Sequence, residues 1–260
     1  MRVLPSVELL GMALARVDGA QLLDHMFAEL REGRGGWLVT ANLDFLRRHA
    51  HDPGMRRLYD LADVRVADGR PLVWAAKLQG DHLPERVAGS RLMEPLAERA
   101  VQEGRSLYLL GGVPGAAEGA AKALQAHAPG LRICGYSSPF VDQPPTAEQL
   151  APIVAELERD RPDFLLVALG SPKQELLIEA LRPRFPATWM MGVGITFSFL
   201  AGLEPRAPLW MGEIGLEWVH RLAQDPKRLG PRYLRHDVPF ALELFGRVAL
   251  RRFAAYRNAT

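Results

Sequence analysis

Cysteine is almost missing from this 260-residue chain: Cys134 stands alone. That excludes a disulfide framework and a cysteine-rich metal site, and it fits a reducing cytoplasm. Lysine is scarce too, with four residues against 28 arginines. The ratio carries no functional weight and gives no ground for a nucleic-acid partner. No uncharged apolar stretch reaches the eighteen or so residues that a membrane-spanning helix requires. The first residues are broken by Glu8, Arg16 and Asp18 before a long apolar region develops, so no signal peptide is expected. His49 and His51 lie two apart on an expected helix and share no face, which argues against zinc there.

What is present is a globular composition, 48% hydrophobic and 24% charged, with charge unevenly placed. From Arg206 onward ten basic side chains face five acids, a net of +5, whereas the whole chain carries only +2. Residues 1–205 are therefore mildly acidic, and a basic tail on such a body is expected to meet something anionic.

Apolar runs rich in β-formers occur at GWLVTAN (36–42), VRVA (64–67), SLYLLGG (106–112), LRICGY (131–136), DFLLVALG (163–170) and TWMMGVG (188–194). Helical patterns such as SRLMEPLAERAVQEG and PGAAEGAAKALQAHA fill the intervals. Continuous apolar strands separated by helices predict a mainly parallel sheet covered on both faces. The expected fold is a doubly wound, Rossmann-like α/β domain over residues 1–203, followed by a helical, basic appendage over 204–260. Residues 240–257 plot as an amphipathic helix. Leu244, Val248, Ala241, Phe245, Tyr256, Ala249, Leu242 and Phe253 share one arc, with Glu243, Arg247, Arg251 and Arg257 opposite. Its excess of basic residues favours an interfacial helix over one packed on its own body.

Ligands of such sheets sit beyond the carboxyl ends of the strands. The expected tips deliver Thr40 and Asn42, then Asp68 and Gly69, then Gly111, Gly112 and Pro114, then Gly135 and Tyr136, and last Gly192 and Gly194. The fifth run ends in GSPKQE (170–175). Small residues allow close backbone approach and helix N-termini attract phosphate, so this edge suits a phosphorylated ligand. Each piece has a plain alternative. Ser171, Pro172 and Gln174 fit an N-cap, a first helical residue and a capping box. GGVPGAAEG lacks a G-x-G-x-x-G, and Asp68-Gly69 is a common turn pair.

In order along the chain, TANLDFLRRHAHDPGMRRLYDLADVRVADGRPLVWAAKLQG, ERVAGSRLMEPL, LYLLGGVPGAAEGAAKAL, CGYSSPF, VALGSPKQE, FLAG, RAPLW and GLEWVHRLAQDPKRLGPRY resemble the motif set of the WecG/TagA/CpsF glycosyltransferases. The resemblance runs from about Val7 to about Tyr233. It implies an inverting enzyme of bacterial envelope polysaccharide assembly that needs neither metal nor cofactor. Such an enzyme moves a sugar from a UDP-sugar to a sugar on undecaprenyl diphosphate, at the inner face of the plasma membrane. Carried over by position, Asp68 is the general base, Thr40 and Asn42 line the sugar pocket, Arg86 lies near it and Gln174 closes one side. Gly111, Gly112, Gly135, Tyr136 and Gly194 fall in stretches expected to bind the donor. Arg221, Arg228 and Arg232 belong to the appendage that closes over the site.

The chemistry asks for the same residue types. An acceptor hydroxyl must lose its proton as it attacks an anomeric carbon, and a carboxylate of raised pKa can take it. No two aspartates are spaced i, i+2, so the D-x-D pair that holds a metal diphosphate is missing. Glycine-loop amides, helix N-termini and arginines would then stabilise the leaving diphosphate. Ser198, Arg91 and Arg70 depart from the residues usual in the family, which leaves N-acetylmannosamine, its uronic acid and glucose open as donor sugars. Two rivals remain: a nicotinamide-dependent oxidoreductase, for which LRICGYSSPF lacks the acid expected at the next strand tip, and a non-catalytic membrane-associated partner protein. The sequence fixes no oligomeric state.

Overall fold

The computed structural model describes residues 2–259, with the side chains of 209, 228 and 255–259 outside the described set. Its strands are β1 (Ser6–Leu9), β2 (Met12–Ala15), β3 (Gly36–Ala41), β4 (Val64–Ala67), β5 (Ser106–Gly111), β6 (Arg132–Ser137), β7 (Phe164–Ala168) and β8 (Trp189–Gly192). The last six form one parallel sheet in the order β4-β3-β8-β7-β5-β6. The chain winds outward from β3 to β4, crosses to β5 and β6, and returns to fill the centre with β7 and β8. This is the doubly wound α/β fold expected from the apolar runs.

Side-chain alternation explains why those runs are continuous. Along β7, Leu165 and Val167 join the core on one face of the sheet while Phe164, Leu166 and Ala168 join the core on the other. A strand covered on both sides has no polar face to show. Trp37 and Val39 likewise point to the first core and Leu38 to the second.

An antiparallel hairpin of β1 and β2 was not expected. Its four-residue strands are too short for a clear alternation, and its two-residue turn is Leu10-Gly11. Both turn residues have positive φ, 47° and 88°, the geometry that matches the twist of paired strands. Arg65 ties the hairpin to the sheet, its Nε donating to the Ala13 carbonyl at 3.1 Å.

The C-terminal helix Val238–Ala259 corrects the interfacial expectation. Phe240, Leu244 and Val248, spaced four apart, are buried in the first core against the helix Arg70–Gln79. Ala241 and Phe245 are half-buried, whereas Leu242, Ala249, Leu250 and Phe253 are exposed. The apolar arc is therefore split: one stripe packs on the protein's own body and another faces outward. Tyr256 and Arg257 lie outside the described side chains. Among the described residues, no helix is long and apolar enough to cross a membrane.

Candidate active site

At the carboxyl edge, β3 and β4 bring Thr40, Asn42 and Asp68 together. The Asp68 amide donates to the Ala41 carbonyl at 2.7 Å, which fixes the first turn after β4 to the neighbouring strand. Asn42 N-caps the helix Leu43–His51, its Oδ1 accepting from the amides of Asp44 at 3.0 Å and Phe45 at 3.3 Å. Its carboxamide is thereby locked in orientation, with the NH₂ end left for other partners. The helix Gly89–Gln102 begins against this group. Gly89 donates its amide to the Asp68 carboxyl, and a Cβ there would lie 3.2 Å from Thr40 Oγ1.

Asp68 has its pKa pushed up to about 7. Desolvation by the surrounding protein is the main cause, and the nearby Glu217 carboxylate adds to it. Arg86, Arg221 and the Gly89 amide pull the other way without cancelling it. A carboxyl titrating near neutrality can accept a proton and release it again, as a general base must.

The appendage lies directly over this carboxyl. Arg86, 9% exposed, donates from Nη1 to Glu217 Oε2 at 2.9 Å. Glu217 starts the helix Glu217–Gln224, and Arg221 one turn on lies 3.6 Å from the same carboxylate. The Arg221 guanidinium sits over the Phe199 ring at 5.6 Å. Gly215 packs against Trp74 and Arg70 so closely that a Cβ would lie 2.7 Å from the indole. Arg232 behaves differently. It pairs with Asp44 at 3.6 Å and Asp237 at 3.4 Å, and Asp44 also holds Arg47 at 2.6 Å and Arg48 at 2.8 Å. Burial would raise the Asp44 pKa, but Arg232, Arg48 and Arg47 outweigh it and hold the carboxyl low. Arg232 thus docks the appendage onto the helix that starts at Asn42. Arg228 lies outside the described side chains.

The GSPKQE corner departs from the capping pattern. The helix Lys173–Leu181 has Pro172 at its N-cap position and no side-chain capping bond. Ser171 Oγ lies 3.5 Å from the Tyr59 hydroxyl instead. Gln174 is a staple: its Oε1 accepts from the Gly194 amide at 3.1 Å and its Nε2 donates to Glu175 Oε1 at 2.7 Å. A Cβ on Gly192 would overlap the Gln174 carboxamide, so glycine there is what lets the staple cross to β8. Glu175 is buried, and desolvation raises its pKa against the Gln174 hydrogen bond. Lys173 turns outward, over the Phe140 ring at 5.1 Å. The three polar residues of the corner therefore divide into a cation over Phe140, a glutamine that reaches the Gly194 amide just past β8, and a buried glutamate that accepts from that glutamine.

Distance along the sheet sorts the other expected residues. Gly194 follows β8, two strands from β4, while Gly111 and Gly112 end β5 with φ of 98° and 84°. Gly135 and Tyr136 lie on β6, the opposite edge, five strand spacings or about 24 Å from Asp68. Gly135 is mid-strand, where a Cβ would press into the Tyr108 ring, and Tyr136 is exposed. The structure does not bring these two into the group around Asp68. A cavity of about 230 Å³ lies beside that group, lined by Ser90, Glu94, His127, Thr196, Phe199 and Arg206. Among the described residues, no three His, Cys, Asp or Glu side chains could hold a metal ion. Glu217 and Asp44 were missed by sequence reasoning. The i, i+4 spacing of Glu217 and Arg221 was a visible signal, but pairing with Arg86, 131 positions away, is tertiary.

A doubly wound sheet whose carboxyl edge carries a carboxyl of raised pKa among arginines is the architecture of an α/β enzyme. The model of the glycosyl transferase WecG/TagA/CpsF family matches residues 7–254, and the chain belongs to that family. It is a glycosyltransferase. The N-acetylglucosaminyldiphosphoundecaprenol N-acetyl-beta-D-mannosaminyltransferase of Bacillus spizizenii is 31% identical over 200 residues, covering 76% of this chain and 75% of the relative.

Proposed function

We propose that this protein transfers an N-acetylmannosaminyl group from a UDP-sugar to an N-acetylglucosamine carried on undecaprenyl diphosphate, with inversion at the anomeric carbon. The observation that carries the reading is Asp68, with a pKa of about 7, beside Arg86 and Arg221. The acceptor hydroxyl attacks the anomeric carbon as the bond to UDP breaks. The proton passes to the Asp68 carboxylate, and the electron pair leaves with UDP. The β-linkage in the relative's name supports a single displacement, since a β product from an α-linked nucleotide sugar requires inversion. Arg86 and Arg221 offset the charge that develops on the diphosphate, in place of a divalent metal. Gln174 acts by holding the β8 tip still, and Thr40 and Asn42 line the sugar.

Peripheral attachment to the cytoplasmic face of the membrane would bring a lipid-linked acceptor within reach. Exposed Trp210, Ile214, Trp218, Leu242, Leu250 and Phe253 in a region of net +5 support it.

UDP-sugars screened against a short-chain lipid diphosphate carrying N-acetylglucosamine, read by mass spectrometry with and without excess EDTA, test the reading. UDP-N-acetylmannosamine is expected to be consumed at an unchanged rate in EDTA. Transfer of another sugar would overturn the donor assignment, and magnesium-rescued loss in EDTA would overturn the arginine mechanism.

A further inference from the structure

Three arginines gather in one cleft, and one of them, Arg86, also acts on Asp68. Arg86, Arg91 and Arg206 line a narrow cleft with Ser90, Gly212 and Glu217. The guanidinium ends of Arg86 and Arg91 converge on Gly212, 3.1 Å and 3.3 Å from where its Cβ would stand. Arg206 reaches Ser90 Oγ at 3.4 Å. Glu217 closes the cleft from the appendage through its bond to Arg86. What space remains is about 10 Å³, and Ser90 and Arg206 join it to the cavity of about 230 Å³.

Cations this close repel one another unless anions sit among them. Arg91 registers that repulsion. Burial first, then Arg86 and Arg206, lower its pKa, and Glu213 and Glu217 do not make up the difference. The Glu217 carboxyl is held in its charged form: burial opposes this, but the Arg86 hydrogen bond and the charges of Arg221, Arg86 and Arg206 outweigh it. A carboxylate bonded to a guanidinium occupies the geometry in which arginine grips a phosphate edge.

We propose that the Arg86–Arg91–Arg206 cleft is a diphosphate subsite whose place Glu217 holds in this structure, and that an incoming diphosphate displaces Glu217. The inference rests on the glycosyl-transfer reading and goes beyond it by assigning Arg91, Arg206 and Glu217. Donor nucleotide and lipid-linked acceptor share this chemistry, so both enter the test.

Calorimetric titration of the full-length protein with UDP, and separately with geranyl diphosphate, measures it. Glu217→Gln removes the internal competitor and is expected to tighten binding of one of the two about threefold to fivefold. Arg91→Gln and Arg206→Gln should weaken that same ligand about threefold to tenfold. Glu217→Asp, which keeps the charge, should restore wild-type affinity and separates the effect from a damaged appendage. The ligand that responds identifies the source of the diphosphate. If Glu217→Gln binds both ligands as the wild type does, or more weakly, the subsite is overturned while the transfer reading stands. Wild-type protein that binds neither ligand overturns both.

Discussion

The sheet and the short helical stretch 209–224 handle their apolar residues in opposite ways. In the sheet, Leu165, Leu166 and Val167 are buried in succession between two helical layers. In the appendage, Trp210, Ile214, Leu216, Trp218 and Val219 stand exposed within ten positions of one another. The body therefore holds backbone positions rigidly, while the appendage meets it through charges near the site, Glu217 to Arg86 and Arg232 to Asp44, and through Phe240, Leu244 and Val248 further on. Asp68 is placed by the first region, through the Ala41 carbonyl, and tuned by the second. Fixed geometry and adjustable electrostatics come from different parts of the chain.

The largest effect should come from the body alone. Asp68→Asn removes the proton acceptor and leaves the backbone of the β4 turn in place, so turnover should fall about 10²-fold to 10⁴-fold. UDP binding should be spared, because the asparagine only removes negative charge beside Arg86 and so cannot repel the diphosphate. Single-turnover kinetics with a saturating soluble acceptor check this, and near wild-type turnover would show that Asp68 is not the base.

The next effect divides the last helix, where the two regions overlap. Leu244 is 0% exposed and Phe253 is 68% exposed. Leu244→Ala should destabilise the protein by about 2–5 kcal/mol, the range for deleting a buried leucine. Phe253→Ser should leave the melting temperature nearly unchanged and weaken flotation with anionic vesicles. Thermal denaturation and liposome flotation of both variants test the contrast. Equal melting losses would mean that the whole helix belongs to the body.

Much of this organisation was legible in the residues. The six sheet strands fall within a few positions of the apolar runs, because burial on both faces leaves an uninterrupted signal. Thr40, Asn42 and Asp68 could be read as neighbouring strand tips, whereas Arg86 came only from the family resemblance. The hairpin escaped because four-residue strands carry too little alternation. Ser171 was misread as a cap because a Ser-Pro-x-Gln run satisfies the local pattern, while in the fold its hydroxyl is shared between the Tyr59 hydroxyl and the Glu175 carboxyl. The amphipathic arc of the last helix could not say which of its apolar side chains meet helix Arg70–Gln79, since that depends on where the helix returns to the body. Glu217 was hidden for the same reason.

The smallest effect is the most direct measure of one region acting on the other. Asp68 must be deprotonated to accept a proton, so kcat/KM should rise with pH up to about 7, where the free enzyme's Asp68 titrates, and level off above it. Glu217 raises that pKa and Arg221 lowers it, so their removal should act with opposite signs. Glu217→Gln takes away a negative neighbour, making the charged carboxylate easier to form, and the rising limb should move to lower pH. Arg221→Gln takes away a positive neighbour and should move it to higher pH. Each displacement should be less than about one unit, since solvent screens both side chains in part. The kcat profile should lie at higher pH than that of kcat/KM, because a bound diphosphate adds negative charge beside the carboxyl. Shifts of opposite sign would mean that the appendage sets the working pH of a base that the sheet holds in place. Two shifts of the same sign would mean that it acts on Asp68 through packing rather than charge.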